Sequence, residues 1–390
     1  MKIKSVKTFL ADGGFRPWTF VRVETDNGLI GWGDCTDWGG AKPVAAMIEA
    51  LEPYVVGEDP LNTDYIWEKL ASRNMRHLSG VAHKAMAGID IACWDIRGKY
   101  WNAPVWQLLG GKFRDTIPLY WTHFGWSRVR FPEVVGKKPL TNKEQILEMC
   151  EEAKNFGFAG VKTNTEVLKA LGYDIPSIDP VFPYKNEGML LRGYRELYQT
   201  IRQGLGPDIG IALDVTFSYK LGAAKKLASV IADYGPMWLE CETTNPDALK
   251  EVRNASSTPV CIGESLFGAG QYKPFFERYA MDIVMPDVAW NGITETRRIV
   301  QLAKQYDIMF APHNCHSPLT TFVCTHLCAN TPNFYLMEFD YDDVPWRDEM
   351  LTYPIEFQNG QIIVPDRPGF GVDINEEALK KHPAKEYTTK

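Results

Sequence analysis

Short apolar runs separated by longer amphipathic segments are the feature of this sequence that most constrains its fold. Eight such runs follow one another beyond residue 113. Strands that alternate with helices in this way form a parallel sheet joined by right-handed crossovers. Residues 113–354 match the roughly 250 residues of an eight-unit barrel, so we predict a (β/α)8-type TIM barrel. The predicted strands are Ile117–Trp121, Ala159–Lys162, Ile209–Leu213, Met237–Leu239, Val260–Ile262, Ile283–Met285, Ile308–Ala311 and Phe334–Met337.

The first 112 residues have a different pattern, in which strands come before helices. An Asp26-Asn27-Gly28 turn predicts a hairpin, because Asn and Gly tolerate positive φ. Residues 41–99 are helical in pattern, and a glycine-bearing loop at 11–18 is expected to expose its aromatic side chains. These patterns predict a separate α+β domain at 1–112. Its strand candidates are Lys2–Phe9, Thr19–Thr25 and Leu29–Cys35.

Composition and charge narrow the function classes. Hydrophobic residues make up 45% of the chain and charged residues 23%, as in soluble globular proteins. No apolar run approaches the roughly 20 residues that cross a bilayer, and the N-terminus reads as a strand and not as a signal peptide. We therefore expect a cytoplasmic protein without a membrane partner. A net charge of −7 offers no basic footprint for nucleic acid.

The 8 cysteines show no pairing typical of a thiolate zinc site. Cys93, Cys150, Cys261 and Cys324 lie inside apolar stretches and are expected to be reduced core residues.

At the start of the first barrel helix, Thr141-Asn142-Lys143-Glu144 predicts a capping box.

Acidic residues stand at the ends of three consecutive predicted barrel strands. Asp214, Glu240 and Glu264 are 26 and 24 residues apart, which is about one βα repeat each. One acid after a strand usually caps a helix or faces water. Three on adjacent strands would lie side by side and repel one another unless a cation is present. Because all the donors are carboxylate oxygens, we predict a Mg²⁺ site.

Two candidate bases, Lys162 and His313, end the second and seventh predicted strands. A solvated lysine and a satisfied core histidine are the simpler interpretations of each residue alone. Asp287, which ends the sixth strand, could hold one ring nitrogen of His313 and raise the basicity of the other. Asn164 shares the strand face of Lys162 and could hydrogen-bond a substrate oxygen.

The order of these residues resembles the mandelate racemase subgroup of the enolase superfamily, over nearly the whole chain. Within that subgroup it is most similar to sugar-acid dehydratases such as galactonate dehydratase, which also have Lys-x-Asn after the second strand. The motifs that carry the resemblance are Lys162-x-Asn164, the three acids, Pro286-Asp287, Gly292-Ile293-Thr294-Glu295, Ala311-Pro312-His313, Asp90-Ile91-Ala92-Cys93-Trp94-Asp95, Gly110-Gly111 and Arg367-Pro368-Gly369-Phe370-Gly371.

The resemblance implies a metal site and an acid–base pair. It assigns Asp214, Glu240 and Glu264 to Mg²⁺ and pairs Asp287 with His313. Catalytic Lys162 and substrate-binding Asn164 would face the substrate carboxylate and the metal. Glu338, a further substrate-binding residue, would lie on the far side of the substrate. The implied reaction removes the α-proton of a sugar acid and then its β-hydroxyl, which gives a 2-keto-3-deoxy acid.

The resemblance also implies the surroundings of the site. The N-terminal domain would cap the barrel, its loop near Trp18 would close over the substrate, and the tail at about 355–390 would pack back on this domain. Trp121, His123 and Trp126 are further candidates for the substrate pocket, although core packing is the simpler fate of at least one tryptophan. The family tends to form symmetric homo-oligomers, often octamers, so we expect a homo-oligomer.

Two departures from galactonate dehydratases leave alternatives open. Thr216 stands where they have the histidine that protonates the departing hydroxyl, and a threonine hydroxyl is a far poorer proton donor. His313 could then be both base and acid if both groups leave from one face. The fourth strand ends in Glu240-Cys241-Glu242, so Glu242 could replace Glu240 as ligand, since the two share a face.

Other activities fit the same residues. A racemase or epimerase would use Lys162 and His313 on opposite faces of the substrate, although Asn164 stands where racemases of this subgroup have their reactive lysine. A lactone cycloisomerase is a further alternative. A non-catalytic scaffold or sensor is disfavoured because all candidate residues are present.

The segment from Thr165 to about Leu191, with Pro176, Pro180 and Pro183, could decorate the barrel mouth, form an oligomer contact or be a simple surface loop.

Overall fold

The computed structural model of the protein describes residues 1–76, 78–175 and 187–385. Within them the chain forms an N-terminal capping domain and a β/α barrel, which confirms the predicted fold class. The described part of the capping domain has a three-stranded antiparallel sheet packed against helices. Its strands are β1 (Ile3–Asp12), β2 (Pro17–Thr25) and β3 (Ile30–Asp34), and its helices are α1 (Ala41–Val55), α2 (Thr63–Arg73), α3 (Gly80–Tyr100) and α4 (Val105–Leu108).

Eight parallel strands in the described chain form the barrel, and each overlaps one of the predicted runs. They are β4 (Thr116–Trp121), β5 (Gly160–Asn164), β6 (Gly210–Asp214), β7 (Trp238–Glu240), β8 (Val260–Ile262), β9 (Ile283–Val284), β10 (Met309–Phe310) and β11 (Met337–Phe339). Neighbours pair in order from β4 to β10, and a bridge between Phe310 and Phe334 leads to β11. Because β11 pairs in turn with β4, the barrel is closed.

Helices surround the barrel. They are α5 (Trp126–Arg130), α6 (Lys143–Phe156), α7 (Glu187–Leu205), α8 (Leu221–Ala232), α9 (Pro246–Arg253), α10 (Gly268–Glu277), α11 (Val288–Lys304) and α12 (Pro318–Asn330). Short 3₁₀ helices cover Thr165–Leu171 and Arg347–Met350, and the chain ends with β12 (Phe357–Gln358), β13 (Gln361–Ile363) and α13 (Glu376–Lys381). Among the described residues, no helix is both long and apolar enough to traverse a lipid bilayer. Pro176, Pro180 and Pro183 lie outside the described residues.

The predicted capping box of α6 is displaced by one residue. Asn142, and not Thr141, caps the helix, because its side chain accepts a hydrogen bond from the backbone N–H of Gln145. The Gln145 side chain accepts in return from the Thr141 N–H at 2.7 Å. The arrangement resembles a capping box with Asn and Gln in place of the expected Thr and Glu, but the Gln145 side chain bonds the residue before the cap and not the cap itself.

Side-chain alternation along the strands separates two apolar layers. Tyr120, Ala212, Met237, Trp238, Cys261, Ile283, Met285, Ala311 and Leu336 form a cluster inside the barrel. A larger cluster lies between the barrel wall and the helices, and another lies within the capping domain. The predicted core cysteines Cys93, Cys150, Cys261 and Cys324 are buried free thiols.

Two of the family motifs meet where the capping domain is attached to the barrel. Buried Asp90 on α3 accepts hydrogen bonds from the backbone N–H and the hydroxyl of Thr294 on α11, at 2.9 and 2.5 Å. Gly292 interrupts α11 with φ 65°, and a Cβ there would lie 2.7 Å from the Asp90 carboxylate. Glycine is therefore required both for the backbone conformation and for the close approach.

The C-terminal segment returns to the capping domain. Strand β13 pairs antiparallel with the start of β4, next to the short β12. Gly369 forms a bridge with Pro104, and Pro383 forms one with Ala11 on β1. This segment therefore contacts both the barrel and the capping domain.

Asp95 on α3 is the buried charge that joins these parts. Its carboxylate accepts from the N–H groups of Trp32 (3.0 Å) and Phe370 (3.1 Å) and pairs with Lys99 Nζ at 2.6 Å.

Asp95→Ala is expected to lower the free energy of unfolding by about 3–5 kcal/mol, because it leaves buried donors without partners. Calorimetric melting temperatures measure this loss. Asp115→Ala, which removes an exposed carboxylate that also pairs with a lysine, should cost at most about 1 kcal/mol. Equal melting temperatures for the two variants would contradict the assigned role.

Candidate active site

A cavity of about 380 Å³ lies at the carboxyl ends of the barrel strands. This is the end at which β/α barrels carry their active sites. The capping domain contributes Asp37 and Trp38 to its lining. The predicted site residues that line it are His123, Lys162, Asn164, Asp214, Glu264, His313 and Glu338.

The three predicted metal ligands lie on neighbouring strands. Asp214 and Glu240 are direct partners in the pairing of β6 with β7, and Glu264 follows β8. Burial, together with repulsion from nearby carboxylates, raises the pKa of Glu240 well above its usual range and that of Glu264 to about 7. Glu240 Oε1 is buried and has no hydrogen-bond partner among the described residues. Oxygen donors with unmet negative charge fit a hard divalent cation such as Mg²⁺.

Glu242, the alternative ligand, faces other neighbours. Its Oε1 accepts a hydrogen bond from the backbone N–H of Gly263 at 2.7 Å. It lines a second cavity, of about 450 Å³, beside α8 and α9. Burial raises the pKa of its carboxyl to about 8. The pairing of β6 with β7 places Asp214 opposite Glu240, so Glu240 and not Glu242 lies next to Asp214.

Lys162 is almost fully buried between two carboxylates. Its Nζ lies 2.9 Å from Glu240 Oε2 and 2.7 Å from Glu338 Oε1. Burial alone would lower the pKa of Lys162, but these carboxylates raise it well above its usual value. The pKa of Glu338 is lowered despite its burial, chiefly by Lys162 and His313. Lys162 is thus held as a cation inside the site.

His313 and Asp287 form the predicted pair. His313 Nδ1 lies 2.6 Å from Asp287 Oδ2, and its Nε2 lies 3.3 Å from Glu264 Oε2. Burial alone would lower the pKa of His313, but Cys315, the carboxylates of Glu264 and Glu338 and the hydrogen bond with Asp287 raise it well above its usual value. A cation bound at Glu264 would oppose that effect and favour the neutral imidazole.

A second histidine, which the sequence analysis did not identify, contacts the same aspartate. His316 Nε2 lies 2.5 Å from Asp287 Oδ2. Burial opposes ionisation of Asp287, but the two imidazoles lower its pKa to about 2. The candidate ligand atoms of these three residues lie within 4.8 Å of one another. Their contacts are nevertheless hydrogen bonds, because ligand atoms that share a metal at ~2 Å stand about 3 Å apart.

Trp290 connects this histidine pair to the capping domain. Its ring centroid lies 5.4 Å from that of His316 and 6.0 Å from that of His313. Its indole N–H donates to the Thr36 carbonyl at 2.7 Å, and Lys84 Nζ lies 3.7 Å above the ring. The capping domain thus packs against Trp290, which in turn contacts the two histidines that hold Asp287.

Two predicted substrate contacts are placed elsewhere by the structure. Trp121 and Trp18 are fully buried in the hydrophobic core, and neither lines the cavity. Trp121 points away from the barrel axis, against Phe124 and Tyr341, because Tyr120 before it takes the inward position. The expectation that the loop at 11–18 exposes its aromatic side chains is wrong for Trp18.

Other aromatic residues form one wall of the cavity. Trp126 at the start of α5 and Trp38 from the capping domain both line it, with ring centroids 5.8 Å apart. Phe15 packs behind them, 5.5 Å from Trp126 and 5.1 Å from Phe131. The His123 ring lies 4.7 Å from that of Trp126. Aromatic rings from both domains therefore enclose the side of the cavity next to His123.

Comparison with known proteins shows which family the chain belongs to. A model described as "Mandelate racemase / muconate lactonizing enzyme, N-terminal domain" matches residues 7–110, and one described as "Enolase C-terminal domain-like" matches residues 145–378. The chain is 31% identical to the D-xylonate dehydratase of Haloferax volcanii, over 98% of this chain and 89% of that protein. It is also 31% identical to the D-galactonate dehydratase of Xanthomonas euvesicatoria pv. vesicatoria (strain 85-10), over 98% and 94%.

A solved structure extends the similarity to the whole fold. A protein from Burkholderia xenovorans strain LB400, named as an L-alanine-DL-glutamate epimerase, was determined with bound magnesium and fumarate. It superimposes with a TM-score of 0.92 at 34% identity, covering 99% of this chain and 97% of that one. With both domain models matched and the fold shared throughout, the chain belongs to the mandelate racemase / muconate lactonizing enzyme family of the enolase superfamily.

Proposed function

We propose that this protein is a Mg²⁺-dependent dehydratase of sugar acids, which yields 2-keto-3-deoxy acids. One observation carries the proposal: an imidazole fixed by Asp287 lies in the same cavity as the carboxylates of neighbouring strands and a buried lysine cation. The names of the two curated relatives favour elimination of water over other outcomes of proton abstraction.

In this proposal Asp214, Glu240 and Glu264 hold the cation, as the unpartnered Glu240 Oε1 supports. When bound there, the ion supplies positive charge to the substrate carboxylate and to the negative charge that develops on it as the α-proton leaves. Lys162 adds a second, fixed positive charge, and Asn164 offers a hydrogen-bonding side chain to the substrate from the same strand.

His313 takes the α-proton. Its Nδ1 is engaged by Asp287, so Nε2 is the atom left to accept the proton. The low pKa of Asp287 keeps this residue an anion, which orients the ring and stabilises the imidazolium that forms. Cleavage of the bond between the β-carbon and its hydroxyl then gives the enol of a 2-keto-3-deoxy acid.

The alternatives share the first step and differ afterwards. A racemase or epimerase needs a second base on the opposite face, whereas two carboxylates keep Lys162 protonated. A lactone cycloisomerase would use the same base to open or close a ring. The homo-oligomer stays a prediction from the family resemblance.

We expect the protein to form 2-keto-3-deoxy acids from at least one aldonic or aldaric acid, and only with a divalent cation. The test uses protein stripped with EDTA and reloaded with Mg²⁺, a library that begins with D-xylonate and D-galactonate, and semicarbazide detection of the product. Protein left without cation is the control. Activity that survives EDTA would contradict the metal assignment. Exchange of the α-proton in D₂O without elimination would instead support an epimerase, and ring opening of a lactone would support a cycloisomerase.

A further inference from the structure

Elimination of a hydroxyl group needs a proton donor, and the residue at the expected position is a poor one. Thr216 lines the cavity, but an alcohol is a far weaker acid than an imidazolium. His313 already receives the α-proton in the proposed reaction. If the hydroxyl leaves from the face opposite His313, a second acid in the cavity must protonate it.

A second histidine–aspartate pair lines the same cavity. His123 Nδ1 lies 2.8 Å from Asp340 Oδ2, just as His313 Nδ1 lies against Asp287. His123 is 15% exposed and lines the cavity, and in the described chain its Nε2 has no protein partner. It follows β4, whereas His313 follows β10, so the two imidazoles come from different strand ends. The cavity is thus lined by an imidazole oriented by Asp340 in addition to His313 and His316, which both contact Asp287.

The backbone and the neighbouring rings fix His123 in place. Its φ is 52°, in the left-handed region that a residue other than glycine rarely adopts. Such conformations persist where the surroundings impose them, and they occur often at functional sites. The ring lies 4.7 Å from Trp126, tilted by 30°, and 6.1 Å from the edge-on ring of Phe15.

Asp340 is held in turn by a buried arginine that the sequence analysis missed. Arg16, from the loop between β1 and β2, is fully buried, and its Nη2 lies 3.4 Å from Asp340 Oδ2. The same nitrogen donates to the His316 carbonyl at 3.1 Å. Arg16 therefore ties the carboxylate behind His123 to the loop that carries the other histidine pair.

We propose that His123, oriented by Asp340, protonates the departing β-hydroxyl. This assignment rests on the proposed dehydratase function. The α-proton goes to His313 Nε2, and the electron pair of the broken C2–H bond forms the C2–C3 double bond. The C3–O bond breaks with its pair on oxygen, which takes the proton of His123 Nε2 and leaves as water. The enol then tautomerises to the 2-keto acid.

The test separates proton abstraction from loss of the hydroxyl. In His123→Asn the new side chain tolerates the left-handed backbone but has no acidic imidazole. Three rates are measured with Mg²⁺-loaded protein: elimination of water from the acid that the wild type converts, elimination of fluoride from its 3-deoxy-3-fluoro analogue, and α-proton exchange in D₂O. We expect water elimination to fall about 10²–10⁴-fold. Exchange and fluoride loss should stay close to wild type, because fluoride leaves without protonation.

Controls make each outcome decisive. His382→Asn changes a histidine outside the cavity and should leave all three rates unchanged. A His123→Asn protein that eliminates water at the wild-type rate would overturn the proposal and return the role to His313 or Thr216. Equal losses in all three rates would also overturn it, since they would show a binding or structural role. If the wild type eliminates water from no acid in the library, the proposed function fails and this assignment fails with it.

Discussion

Replacement of His313 by asparagine is expected to slow α-proton abstraction by about 10³–10⁴-fold, near the upper end of what a positioned general base contributes. The amide of asparagine can still hydrogen-bond to Asp287 but offers no basic nitrogen where Nε2 stood. Burial and the hydrogen-bonded neighbours on this side of the site should change little. Exchange of the substrate α-proton in D₂O, followed by proton NMR, measures the step directly.

His316→Asn is the matched control for that variant. His316 contacts the same oxygen of Asp287, but it does so through its own Nε2, and its Nδ1 is buried without a partner among the described residues. We therefore expect it to orient Asp287 and its loss to cost much less than that of His313. Rapid exchange in His313→Asn would contradict the base assignment. Equally slow exchange in both variants would show instead that the aspartate and its two histidines act only as a unit.

The barrel could be predicted from the sequence because its apolar runs recur with the length of one βα unit. The direction in which each strand side chain points, into the barrel or out toward the helices, could not be predicted. Strands of a parallel barrel are buried on both faces, so apolar residues occupy inward and outward positions alike. Tyr120 and Trp121 are both fully buried, yet only Tyr120 belongs to the cluster inside the barrel. Nothing in the local sequence told the two apart, and the prediction that Trp121 contacts substrate chose the outward one.

Some residues of the candidate site could likewise be predicted from the sequence, and others could not. Residues at strand ends, such as Glu264 and His313, could be found because the fold fixes where strands end. Arg16 could not, since it reaches Asp340 across 324 positions of sequence from a loop without periodicity. Asp340 could have been found, because it lies two residues beyond Glu338 and strand alternation therefore predicts that both side chains point to the same face. His316 lies three residues after His313, so strand alternation would not have placed the two on one face.

Glu240→Gln is expected to weaken Mg²⁺ binding by more than about 100-fold, since loss of a partner outside the direct ligands already costs 10–100-fold. The substitution removes a negative charge and leaves Lys162 with Glu338 as its remaining carboxylate partner. Titration calorimetry with Mg²⁺ alone measures the affinity without any substrate. Glu242→Gln is the control of matched chemistry two residues away. It retains an oxygen for the Gly263 N–H and should bind Mg²⁺ nearly as the wild type does.

The opposite pattern, with Glu242→Gln the weaker binder, would move the ligand to Glu242. The pH dependence of the same titration gives a second check. Because the pKa of Glu264 is about 7 in the metal-free protein, a proton competes with the cation below that pH. Protonation of Glu264 should lower the affinity by up to about tenfold for each pH unit below 7, and Glu240, whose pKa is also raised, adds to this dependence. An affinity independent of pH between 5 and 8 would contradict the placement of Glu264 among the ligands.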